Sequence, residues 1–268
     1  QDKPKRSEIL ALWEQNDYAS LNAACDKVLL LNPLDSYALL FKGFAAFYSG
    51  LANPDAEQRQ TAMDASVTHI RKALTDPNCP LVPQARYVLG KAYYAKGLDY
   101  WDICITELDA ASELGYSPDD SWEYRALAAY GSGQIARSLG YFTESLARFP
   151  DSPELSLAAS RAWADSGDWA KAESLAKAAK AATSDEYLLE RADFLIAEAC
   201  VAGQRLAEAR EHYSFIIQRN PVSADAWYQD GLVLAKQGDL IAARAAWRKA
   251  VSIDPMHALA RQKLAERS

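Results

Sequence analysis

The side chains best suited to chemistry in this chain are three histidines (His69, His212, His257), four cysteines (Cys25, Cys79, Cys104, Cys200) and the acid pairs Asp119-Asp120 and Asp185-Glu186. Their spacing organises none of them into a site. The histidines lie far apart in sequence, no two cysteines have C-x2-C spacing, and no histidine sits near a cysteine at metal-ligand distance. No glycine-rich phosphate loop, H-E-x-x-H pair or G-x-S-x-G nucleophile turn occurs. Gly131-Ser132-Gly133 reads as a turn between helices, and the acid pairs stand where helices start, where carboxylates complement the helix dipole. The chain therefore reads as non-enzymatic, with no catalytic residue, no metal and no cofactor.

Binding is the chemistry that remains, and aromatic residues are its best candidates. Tyr37, Phe41, Phe44, Phe47 and Tyr48 crowd one helical stretch; Tyr87, Lys91 and Tyr94 follow in a second, and Tyr124 and Tyr130 in a third. Aromatic rings offer large contact area at low rotamer cost, which suits a recognition surface. The opposing consideration is that residues 36–50 are apolar nearly all round, as in a buried helix.

The elements that position these residues emerge from the far end of the chain. Between Ala224 and His257, Trp227, Gly231, Leu234, Gly238, Ala243, Trp247, Ala250 and Pro255 stand at fixed offsets. Small residues let two antiparallel helices approach while the tryptophans fill the remaining space. Asp230 alone departs from the apolar pattern. The same phasing recurs upstream. Leu89-Gly90 and Tyr93 carry it, as do Trp122, Gly133, Ser138, Phe142 and Pro150, then Trp163, Gly167, Ala172 and Ala176, then Ala197, Ala209, Tyr213 and Pro221. Leu21, Cys25 and Val28 before Pro33 mark a worn first copy, with Ser7 as an N-cap and Asn16-Asp17 as a turn. In the second copy Gly43 and Gly50 keep phase, but Leu51–Gln60 delays the next helix and extends it upstream from Asn53-Pro54-Asp55. The third needs a two-residue insertion near Tyr100-Trp101.

This pattern resembles the tetratricopeptide repeat family across nearly the whole chain. The resemblance implies an all-α fold: a right-handed α-solenoid of about seven helix hairpins in one domain spanning residues 1–268, with a C-terminal capping helix. The repeats fall at about 2–35, 36–80, 83–118, 119–152, 153–187, 190–223 and 224–257, and the cap at 258–268. In the cap, Leu259 and Leu264 would face inward, and Arg261, Lys263, Glu266 and Arg267 outward.

The resemblance also implies a concave groove lined by the first helix of each repeat and read by its second, fifth, ninth, twelfth and thirteenth positions. These include Tyr37, Leu40, Phe44, Phe47 and Tyr48 in repeat two. Gln84, Tyr87, Lys91 and Tyr94 follow in repeat three, with Asp120, Glu123, Leu127 and Tyr130 in repeat four. Glu154, Leu157, Arg161 and Asp165, then Arg191, Phe194 and Glu198, then Asp225, Tyr228, Leu232 and Lys236 continue the series. No repeat pairs Lys with Asn at the fifth and ninth positions, so capture of a terminal carboxylate by the family's basic clamp is not expected.

The totals agree with a helical scaffold. Half of the 268 residues are hydrophobic, and a net charge of −7 argues against a nucleic-acid partner. No apolar run reaches the roughly 18–20 residues that cross a bilayer. The chain opens on Gln1, which fits a processed periplasmic or lipid-anchored envelope protein as well as a cytoplasmic one. Three partner classes follow: a protein or peptide segment in the aromatic groove, an apolar small molecule or lipid in that groove, or further copies of the chain. The Leu51–Gln60 insertion, or a second copy, would be what covers the aromatic helix.

Overall fold

The computed structural model describes residues 6–266, and these are all-α. The helices are α1 Arg6–Glu14, α2 Tyr18–Leu31, α3 Ser36–Leu51, α4 Ala56–Ala73, α5 Val82–Lys96, α6 Trp101–Glu113, α7 Asp120–Gly131, α8 Ile135–Arg148, α9 Pro153–Asp165, α10 Trp169–Ala182, α11 Glu186–Ala202, α12 Leu206–Arg219, α13 Ala224–Lys236, α14 Leu240–Ile253 and α15 Ala258–Ala265. Residues 2–5 of repeat one and Arg267 of the cap lie outside the described residues.

Capping aspartates explain where the helices begin. Asp17, Asp35, Asp55, Asp168, Asp185 and Asp239 each accept a hydrogen bond from the backbone N–H three residues on. Each satisfies one orphan donor of a first turn. Ser7 does not cap α1, which already includes it. The hairpin turns need left-handed backbone, supplied by Gly167 (φ 92°) and Gly238 (φ 90°). Asn16 (φ 55°) and Gln204 (φ 60°) adopt the same conformation where two other repeats lack the glycine.

The packing divides into two compact units, Gln1–Ser145 and Leu146–Ser268. In the first, α1/α2, α3/α4 and α5/α6 form hairpins, and α1, α3, α5 and α7 also meet in sequence. The second repeats the scheme: α9/α10, α11/α12 and α13/α14 pair, α9 touches α11, and α15 closes against α14. First helices thus form one wall of each unit and second helices the other, the signature of a solenoid.

The two irregular repeats resolve as helix extensions. After α3, Asn53 and Asp55 turn the chain into α4, which runs for 18 residues. A single 3-10 turn, Leu98–Tyr100, absorbs the insertion before α6. Asp230 is buried and accepts from Arg210 Nε at 3.1 Å, so its departure from the apolar pattern is matched by a partner. The cap corrects one expectation. Ala260 is the residue that α15 buries, whereas Leu259 is 54% exposed. His257 sets this register by capping α15, with its Nδ1 accepting from Ala260 N.

Candidate functional site

The aromatic residues of α3 are not an open groove. Phe41, Phe44 and Phe47 are buried, with 2%, 4% and 1% of their surface exposed. The helix that covers Phe41 and Phe44 is α1. Trp13 packs its indole against Phe41, Phe44 and Tyr48 at centroid distances of 5.8, 5.7 and 5.4 Å. The Leu51–Gln60 insertion plays no part in this cover; its polar contacts are local, from Asn53 to Gln58 and from Arg59 back to Asn53. Tyr37 remains half-buried, under the Arg6 guanidinium at 4.9 Å.

Further along the same wall the rings converge on a cation. Lys91 is 8% exposed, and its ammonium donates to Tyr87 Oη at 3.0 Å and Asp120 Oδ2 at 2.9 Å. Tyr87 in turn donates to the Asp120 carboxylate at 2.7 Å. The Lys91 nitrogen lies 5.0 Å from the ring centroids of Tyr87 and Tyr124, 5.8 Å from Phe47 and 6.0 Å from Tyr48. Burial, reinforced by Asp120, pushes the phenols of Tyr48 and Tyr124 up to about 12, so these rings stay neutral hydroxyls with intact π faces. Tyr94 stacks on Trp101 at 5.3 Å and meets Tyr124 edge-on at 5.0 Å. Tyr130, near the end of α7, is half-buried with its ring 6.5 Å from Phe142. Seven of the expected groove residues therefore sit in one connected aromatic layer: Phe41, Phe44, Phe47, Tyr48, Tyr87, Tyr94 and Tyr124. Lys91 is enclosed within it.

The second unit differs. A recess of about 320 Å³ crosses α9, α11 and α13, lined by Arg161, Arg191, Phe194, Leu195, Glu198, Asp225 and Gln229. Arg161 is locked in a bidentate pair with Glu198, at 2.7 and 3.2 Å. Arg191 is exposed, lies 5.6 Å over the Tyr187 ring, and pairs with no carboxylate among the described residues. Arg161, Arg191, Phe194, Glu198 and Asp225 are all groove positions legible from the repeat register. Gln229 is not, because it stands between two of them in α13. Tyr228 and Leu157, also groove positions, are buried instead, Tyr228 against the His257 ring at 5.0 Å.

Behind the recess, the buried Asp193 of α11 gathers Lys180 at 2.6 Å, His212 Nδ1 at 2.7 Å and Arg219. It pins α10 and α12 to α11. All four cysteines are buried free thiols, and Cys25 and Cys104 are pushed up to about 12 by burial, which leaves them inert.

The tetratricopeptide repeat family model matches residues 125–187 and 194–258. The chain carries tetratricopeptide repeats. Solved structures of similar fold include the C-terminal part of a tetratricopeptide repeat-containing protein from Cytophaga hutchinsonii. It is 16% identical, covers 98% of this chain and 100% of its own, and has a TM-score of 0.66. A chain of the APC/C hetero-tetramer Cut9–Hcn1 is 14% identical over 97% of this chain and 48% of its own, with a TM-score of 0.58. Yeast Tom70 is 14% identical over 92% and 57% respectively, with a TM-score of 0.51. At these identities the likeness is one of fold. No curated protein sequence matches the chain. Proteins built of tetratricopeptide repeats generally mediate protein–protein interactions, and no described helix is long and apolar enough to cross a membrane.

Proposed function

We propose that this protein is a non-enzymatic interaction scaffold that holds an extended segment of a protein partner on the first-helix face of its repeats. The observation that carries this reading is the recess across α9, α11 and α13, where the exposed Arg191 pairs with no carboxylate among the described residues. A partner segment would set an acidic side chain on Arg191 and an apolar one on Phe194, while the Gln229 amide serves its backbone. The locked Arg161–Glu198 pair keeps the recess floor in place without ligand, which lowers the ordering cost of binding. Within the first unit, taken by itself, the partly exposed rings of Tyr48, Tyr94, Tyr124 and Tyr130 offer aromatic contact area.

Partner capture from native extract by the wild-type chain, Arg191→Glu and the distant surface variant Lys249→Glu tests this reading. Retention by Lys249→Glu and loss by Arg191→Glu, with both variants fully folded, is the expected pattern. Equal capture by all three would exclude the recess. A second reading, an apolar ligand among the aromatic residues of α3, is disfavoured by the seating of Trp13 over them.

A further inference from the structure

The enclosure of Lys91 has the composition of a recognition site. Purely structural packing between α3, α5 and α7 would be served by an aliphatic side chain. An ion pair with one partner buried is often no more stabilising than an apolar replacement of the same volume. Here three rings from two other helices, Phe47 and Tyr48 of α3 and Tyr124 of α7, instead lie within 6.0 Å of one ammonium, and the Asp120 carboxylate and the Tyr87 hydroxyl complete its shell. Rings grouped around a cation, with one carboxylate for charge, are the chemistry by which proteins bind alkylammonium ligands. The Lys91 ammonium is a compact point charge on a flexible four-carbon stem. The Asp120 side chain is 36% exposed, so the carboxylate opens the shell to solvent beside Tyr124.

We propose that Phe47, Tyr48, Tyr87, Tyr124 and Asp120 form an alkylammonium-binding cage that Lys91 occupies as an internal ligand, holding it closed. The inference deepens the interaction reading, because the cage, within the first unit, is likewise built by first helices of the repeats. The probe is a small cation rather than a partner, so failure of the cage and failure of partner capture are read separately. A tethered competitor acts at high effective concentration, so the wild-type chain binds free cations weakly.

Choline is the probe, and its neutral isostere 3,3-dimethylbutan-1-ol is the control. Calorimetric titration of Lys91→Ala is expected to show choline binding at least about tenfold tighter than to wild type, with the isostere bound weakly. Adding Asp120→Asn should remove that gain. In the wild-type chain, ring currents should move the Lys91 ε-methylene protons upfield of every exposed lysine in the proton NMR spectrum. A folded Lys91→Ala chain that ignores choline, or that binds choline and the isostere alike, overturns the proposal. If Lys91→Ala does not fold, the wild-type spectrum decides. Unshifted Lys91 protons refute the cage; shifted protons that choline returns to the exposed-lysine position support it.

Discussion

Asp193→Asn is expected to destabilise the second unit by about 3 kcal/mol. Asp193 has no exposed surface and is the shared acceptor for Lys180, His212 and Arg219, which arrive from the two helices flanking α11. Asparagine preserves the volume but removes the charge, leaving two cations facing a neutral amide. Removing one partner of a buried ion pair costs about 3–5 kcal/mol. Lys180 and Arg219 keep 32% and 31% of their side-chain surface, so they can turn toward water, and the lower end of that range applies. At about 3 °C per kcal/mol for a chain of this size, the unfolding midpoint should fall by about 9 °C. Calorimetry at pH 7 measures it directly.

The pH dependence provides a second arm. Burial alone would raise the Asp193 pKa, but hydrogen bonds from His212 and Lys180 outweigh it, so the carboxyl stays below its ordinary value. A carboxylate with a depressed native pKa contributes stability above its unfolded value of about 3.9 and loses it as pH falls through the native value. The gap between wild type and Asp193→Asn should therefore be full at neutral pH and close below about pH 4. A midpoint change of less than about 2 °C at pH 7, or a gap that widens on acidification, would refute the reasoning.

Other perturbations follow from the same packing. Gly131→Ala would place its Cβ 1.7 Å from the Trp101 ring, so either that ring or α7 must shift; a loss of about 1–3 kcal/mol by chemical denaturation is expected. Phe44→Ala should cost about 3–5 kcal/mol, since the ring is core beneath Trp13, whereas Arg191→Ala should change stability by less than about 0.5 kcal/mol. Paired thermal melts separate the two. None of the four buried thiols should react with a thiol reagent at pH 7 until the chain is unfolded, which a colorimetric time course with and without denaturant checks.

The hairpins were legible in the sequence because their requirements are local. Gly231 must admit the Trp247 indole, which would lie 2.4 Å from any Cβ there, and capping aspartates mark the helix starts. The repeat register also located Arg161, Arg191, Phe194, Glu198 and Asp225. What the register cannot carry is which groove position stays open. Phe44 holds the same register position as Arg161, yet one is sealed by Trp13 from another repeat and the other lines a recess. Lys91 looks like a solvent-facing cation until three rings from α3 and α7, the Tyr87 hydroxyl and the Asp120 carboxylate enclose it. The cap misleads for a related reason. Leu259 is the more apolar residue, but the His257 cap turns Ala260 inward.

Site-specific photo-crosslinking tests the central claim most directly. A benzophenone side chain at Gln229, inside the recess, should trap the partner in native extract, while one at Lys249, on the second-helix side, should not. The Gln229 adduct should vanish when Arg191→Ala is added. Trapping at Lys249 with none at Gln229, or a Gln229 adduct indifferent to Arg191, would contradict recognition on the first-helix face.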